Sequence, residues 1–168
     1  MDFCLLNVKS QIFVHAEPYG VSDYVNQYVG THSIRLPKGG RPAGRLHHRI
    51  FGGLDLCRIS YGGSVRVISP GLETCYHLQI ILKGHCLWRG HGQEHYFAPG
   101  ELLLLNPDDQ ADLTYSEDCE KFIVKLPSVV LDRACSDNNW HKPREGIRFA
   151  ARHNLQQLDG FINLLGLV

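Results

Sequence analysis

The chain has 168 residues, with 17 basic and 17 acidic side chains and no net charge. That length suits about one domain with a sizeable core, and the charge balance argues against a dedicated nucleic-acid surface, which would be plainly basic. No apolar run approaches the roughly 20 residues of a membrane helix, and the opening MDFCLLNVKSQIF lacks the layout of a signal peptide.

Residues 1–20 show no clear period and read as an arm or an edge strand. Ser22 is a candidate N-cap for a short helix Asp23–Val29, with Gly30 just past its end. Ser33–Leu36 reads as a strand stopped at Pro37, and PKGGRPAGR (Pro37–Arg45), with Lys38, Arg41 and Arg45, is a loop by composition. Leu46–Phe51 and Leu54–Tyr61 are expected to pair across Gly52-Gly53, a two-residue hairpin signal, and Ser64–Ser69 follows as a further strand.

From His77 to Asp112 the pattern is densest. Strands are predicted at Leu78–Leu82, Cys86–Trp88, His95–Phe97 and Leu102–Leu105, separated by Lys83-Gly84, a Gly-rich hairpin tip and Pro99-Gly100. Short apolar runs punctuated in this way signal an all-β barrel or sandwich. Leu102–Leu105 is apolar on both faces and therefore needs cover on both sides. Asp112–Tyr115 and Lys121–Leu126 complete the β-region. Pro127 suits the first turn of a helix Ser128–Cys135, and Ile147–Phe149 reads as a brief strand. Asn154 and Gln157 resemble a capping box opening a helix on which Leu155, Leu158, Ile162 and Leu165 share one face. That face is wider than a small barrel needs. The chain stops inside the pattern at Val168, which suggests a piece of a longer protein.

The spacing invites comparison with cupin metal motifs, and it fails position by position. Aligning Gly84 and Pro107 with those motifs leaves Pro70 and Leu72 at two histidine positions, His77 at the glutamate position and Asp112 at the last histidine position. Two possible ligands fall short of the three that a catalytic metal site normally takes from the protein. No metal and no cofactor is therefore expected, and no nucleophile elbow or phosphate-binding loop can be assembled. Six cysteines (Cys4, Cys57, Cys75, Cys86, Cys119, Cys135) without a C-x-x-C pair predict free thiols in a reducing cytoplasm.

A barrel without chemistry is expected to hold a ligand. Strand alternation turns Gln79 and Ile81 inward with His77, and Cys86 and Trp88 join them from the next strand. An apolar lumen with those few polar handles suits a small planar guest. For a carboxylate on that guest, Arg41 and Arg45 are the candidate cations, since a guanidinium pairs bidentately with a carboxylate; Arg58 and Arg66 are not excluded by pattern. A benzoate-sized guest of about 10 non-hydrogen atoms, at about 0.5 kcal/mol each, would bind with a dissociation constant of a few tenths of a millimolar.

The segments RLHHRIFGGLDLCRISYGGSVRVISPG, YHLQIILKGHCLWRGHG and FAPGELLLLNPDDQADLTYSEDCEKFIVKLP together resemble the N-terminal, cupin-like sensor domain of AraC-family transcriptional regulators, over nearly the whole chain. The likeness is greatest to those that answer to benzoate and alkylbenzoates and activate aromatic-degradation genes. It implies a mainly β fold: a jelly-roll, cupin-like barrel with an N-terminal arm over residues 1–126 and a helical dimerisation segment over 127–168. It also implies a pair of helix-turn-helix motifs further on, for which nothing after Phe149 has the layout or the basic charge. Promoter DNA and RNA polymerase would be reached only through that missing half, by a cytoplasmic homodimer with no membrane contact. Effector capture by Arg41 or Arg45 would order the loop from Pro37 to Gly44 and shift the last helix. Two other readings stand beside this one: a metal-dependent cupin enzyme, and a dimerisation module with a filled barrel.

Overall fold

Strands that are apolar on both faces have to find two covers, and in this chain one cover is a second sheet and the other is the two ends of the polypeptide. The computed structural model describes residues 5–6, 8–37 and 43–165. Strands β1 (Gln11–Ala16), β3 (Gly44–Phe51), β4 (Leu54–Ser60), β6 (Cys75–Lys83), β9 (Glu101–Leu105), β11 (Glu120–Pro127) and β12 (Arg152–Asn154) form a seven-stranded sheet in the order β1-β3-β4-β11-β6-β9-β12. The other five, β2 (Ser33–Arg35), β5 (Val65–Ser69), β7 (Cys86–Gly90), β8 (Gln93–Phe97) and β10 (Ala111–Tyr115), lie in the order β2-β5-β10-β7-β8. All the pairings are antiparallel, so the architecture is the mainly β, jelly-roll type expected, built from two facing sheets.

The Gly52-Gly53 hairpin forms as read. Phe51 pairs with Leu54, and both glycines have positive φ, 57° and 82°, as a two-residue turn of matching twist requires. The core divides by strand parity. Ile59, Ile81, Leu105 and Ile123 of the larger sheet meet Val67, Trp88, Leu113 and Tyr115 of the smaller one. Residues of the opposite parity, Leu56, Ile80, Leu102, Phe122 and Val124, face outward and are covered by Leu5 and Leu6 from one end and Leu155 and Leu165 from the other.

Three local expectations are corrected. The first helix, α1, runs Pro18–Tyr28 and begins before Ser22; Glu17 is its cap, accepting from the Tyr19 amide at 3.1 Å. Pro18 at the first helical position was the signal for that start. Ile147–Phe149 is not a strand, because side chains satisfy its backbone: Phe149 exchanges hydrogen bonds with the Asn106 amide (2.9 and 3.1 Å), and the Ile147 carbonyl accepts from the Tyr76 hydroxyl at 2.7 Å. The edge strand is instead β12, paired with β9, so the segment after Pro127 returns to the main sheet. Between them, helix α2 spans Ser128–Asp137, close to its predicted range.

The last helix is also broken. Asn154 caps only a short 3-10 turn, Leu155–Gln157; Leu158 leaves the helical region (φ −122°, ψ 43°), and helix α3 starts afresh at Asp159–Leu165. Leu155 and Leu165, expected on a dimerising face, are 2% and 4% exposed against this chain's own sheet, with Leu158 half-buried beside them. The side chain of Ile162 lies outside the description. The expected dimer face is therefore largely spent on the monomer's own outer core.

Leu155→Ala should accordingly lower the unfolding free energy by about 2–5 kcal/mol, the usual cost of truncating a buried leucine, in urea titration. Its solution mass by sedimentation should equal that of the unsubstituted chain. A change of oligomeric state with undiminished stability would return this face to dimerisation.

Candidate binding cavity

Between the sheets, packing is incomplete. A small cavity lies among the inner faces of β4, β5, β6, β10 and β11 and the end of α1. Ile59, Val67, Leu105, Leu113 and Ile123 give it apolar walls, and Val25, Val29, Gly30 and Thr31 close one end. A surface cleft shares Val29, Gly30, Thr31, Leu72 and His77 with it, which marks the way in. The polar groups are few: Tyr61, Tyr115, Gln79, His77, His32, Ser69 and Lys121. Among the described residues, no carboxylate lines it.

Lys121 is the unusual member. On β11, parity places it inward with Ile123, in register with Ile59 of β4 and Ile81 of β6. It is 4% exposed and, among the described residues, the only buried lysine or arginine. Its ammonium lies over the Tyr115 ring, 3.2 Å from the centroid, and 5.5 Å from the centroid of Tyr61. No ion pair reaches it among the described residues. Burial pulls its pKa down to about 8, against the opposing pull of the Cys119, Cys86 and Cys57 thiols, so at neutral pH it still carries its proton. The lysine further along the same face, Lys125, is different: its ammonium is 3.6 Å from Asp55 and donates to the Tyr28 carbonyl at 3.3 Å.

Next along this face, the Tyr115 hydroxyl donates to Gln79 Oε1 at 2.6 Å, which fixes the amide. His77 follows. Its ring is held by a hydrogen bond to the Val29 backbone, while its buried Nε2 has no partner among the described residues. Burial first, then the charges of Lys125 and Lys121, lower its pKa to about 4, so the ring is neutral and Nε2 is an open acceptor. Nearby, His32 Nδ1–H donates to the Gly30 carbonyl and Nε2 accepts from the Ser22 hydroxyl, both at 3.0 Å. The face thus runs from a cation, through a tyrosine–glutamine pair, to a neutral acceptor beside the entrance.

The residues picked out from sequence fall in different places. His77 and Gln79 line the cavity. Ile81 and Trp88 face the same interior but are packed in its walls; Trp88 donates from its indole nitrogen to the Gln110 carbonyl at 3.1 Å and stacks on His95. Pro37 is exposed, and Arg45 is exposed on β3 with the parity opposite to that of the buried Gly44 and Leu46. Lys38 and Arg41 lie outside the described residues. Arg58 and Arg66 are engaged by Glu120 at 2.7 Å and by Asp112 at 2.7 and 2.8 Å. Asp112 thus sits away from His77, since its neighbours Ala111 and Leu113 take the cavity-facing parity. Among the described residues, no three His, Cys, Asp or Glu side chains converge as a metal-binding set. Lys121 was overlooked because it reads as the polar start of a strand; counting back from Ile123 by two would have turned it inward.

The chain matches the AraC-binding-like domain family over residues 21–160. It is 98% identical over 168 residues to a Pseudomonas putida protein described as XylDLEGF operon transcriptional activator, covering 52% of that protein. To the XylDLEGF operon transcriptional activator 3 of the same organism it is 80% identical, covering 51%. The chain thus spans about half the length of the curated relatives it matches. Its fold resembles the crystal structure of the AraC-like transcriptional activator CuxR, with a TM-score of 0.61 over 76% of this chain and 51% of that one; the identity of 11% makes this a likeness of fold alone.

The neutral state of His77 carries a pH signature. With a folded pKa of about 4 against an ordinary 6.5, the unfolded chain takes up the proton first. Stability is therefore complete above pH 6.5 and is lost as pH falls towards 4, by roughly 3 kcal/mol from this group, and His32, shifted in the same direction by burial, adds to it. His77→Gln should remove most of this acid loss in urea titrations at pH 7 and 4.5. Parallel losses in the two proteins would show that the ring is not held neutral.

Proposed function

We propose that this chain, which belongs to the family of AraC-binding-like domains, is the ligand-sensing part of a transcription activator and takes a small aromatic carboxylate, benzoate or an alkylbenzoate such as 3-methylbenzoate, as its effector. The observation that carries this reading is the interior cavity: apolar walls and a buried positive charge that has, among the described residues, no carboxylate beside it. A sugar would call for more hydrogen-bonding groups than these walls offer. A filled interior, one of the other readings from sequence, is told apart from this one by ligand binding. The names of the P. putida relatives favour a regulator over a metal enzyme.

In this reading the effector enters past Val29–Thr31 and settles against β11 and β6. The same strands carry Phe122, Val124 and Ile80 on their outer faces, where Leu155 and Leu165 pack. A ligand that favours one position of β11 thereby favours one seating of the terminal segment, a population shift that needs only different affinities for the two seatings. Arg45, pointing away from the cavity, is left out of the contact set. Homodimer formation and contact with promoter DNA and RNA polymerase are assigned to the longer protein of which the relatives are examples.

A ligand that binds only the folded state raises its melting temperature. At 10 mM benzoate or 3-methylbenzoate and a dissociation constant of a few tenths of a millimolar, the gain is about 2 kcal/mol, or roughly 4–8 °C for a chain of this size. Acetate, which has the charge without the ring, should leave the melting temperature unmoved. An unchanged melting temperature with both aromatic acids would overturn the proposed effector class.

A further inference from the structure

We propose that Lys121 is the carboxylate anchor of the cavity: an aromatic acid lies with its carboxylate against the Lys121 ammonium and its ring between Ile59, Leu105, Leu113 and Ile123. This rests on the reading of the cavity as an aromatic-acid site and adds the residue that selects the acid.

The first support is electrostatic. An ammonium out of water needs a counter-charge or acceptors for its three N–H groups. Lys121 is 4% exposed and has two tyrosine faces but, among the described residues, no acidic partner. A tyrosine face satisfies the cation from one side and supplies no lone pair along the remaining N–H directions. Those directions lead into the cavity that Lys121 lines, so a carboxylate oxygen there would complete its contacts.

The second support is placement. Lys121 pairs in register with Ile81 and Lys125 with His77, so Lys121 and His77 stand four residues apart along the same face. At about 3.3 Å per strand residue the backbone separation is about 13 Å. A bound aromatic acid would lie along this stretch of the face, between the two side chains. With the acid group at Lys121, the far edge of the ring comes to the open Nε2 of His77 and the entrance by Gly30. Among the described residues, Lys125, Arg58 and Arg66 already hold acidic partners, Asp55, Glu120 and Asp112 respectively.

The test uses the 168-residue chain, titrated with benzoate and with benzyl alcohol while amide 1H–15N shifts are followed. Lys121→Met should bind benzoate roughly 10- to 100-fold more weakly, the worth of one charge-assisted contact, and benzyl alcohol within about twofold of the unsubstituted chain. Lys121→Gln should do the same, and a dispersed spectrum certifies the fold of each. In the unsubstituted chain, 13Cε-labelled lysine gives a readout that needs no variant: the Lys121 resonance should move with benzoate and much less with benzyl alcohol. Undiminished benzoate binding by both variants would overturn the anchor while leaving the aromatic-acid cavity standing. Equal weakening of both ligands would make Lys121 a packing residue and also overturn it. Benzyl alcohol binding without benzoate binding in the unsubstituted chain would instead remove the aromatic-acid reading itself.

Discussion

The central strands β6 and β11 are buried along both faces, and the rest of the molecule is arranged to cover both. Each face recruits a different cover. The inner face receives the five-stranded sheet, and the outer face receives the two ends of the chain through Leu5, Leu6, Leu155 and Leu165. Two sheets can close tightly only where side chains from both sides fill the gap. Towards β8 they do, with Trp88 and Phe97 fully buried. Towards the end of α1 the walls are small aliphatic residues, and space is left over.

Into that space the sequence places a lysine. Burying an ammonium without a carboxylate is unfavourable, and a pKa drawn from 10.5 to about 8 corresponds to roughly 3 kcal/mol against the charged form. The Cys119, Cys86 and Cys57 thiols pull the other way, and the π faces of Tyr115 and Tyr61 lie against the ammonium. A leucine at this position would pack without such a penalty. A cation kept in an apolar cavity at a cost to stability is the arrangement expected of a site built for an anion, since the guest's charge returns what folding gave up.

What the sequence made legible follows from period and what it hid follows from tertiary context. The two-residue period of β6 sent His77, Gln79 and Ile81 inward, and the hairpin at Gly52-Gly53 set its own register. Turn chemistry alone is enough for such features. Lys121 stayed hidden because a lysine at a strand end is usually a solvated edge; its burial depends on β4 and β6 flanking β11, which is long-range information. The arginines that drew attention had the right chemistry for a carboxylate, but Arg45 has the wrong parity and Arg58 and Arg66 already hold acidic partners. The last segment misled for a related reason. Its apolar spacing fits one helical face, yet its leucines meet the sheet through a 3-10 turn, a break at Leu158 and a new helix, because the partner surface decides where the backbone bends.

The same geometry explains how a closed interior can report outward. In a β-strand, neighbouring residues point to opposite faces, so nothing thicker than one backbone separates the Lys121 side of β11 from the Phe122 side. Phe122 is fully buried beneath the terminal segment, and close-packed groups of this kind transmit small displacements rather than absorb them. A register irregularity between Glu120 and Lys121 interrupts the ladder to β6 at this point, while the ladder to β4 runs on unbroken. An anion drawing Lys121 inward would therefore act on β11 beside this irregularity, and its neighbour Phe122 is the residue that the end of the chain rests on.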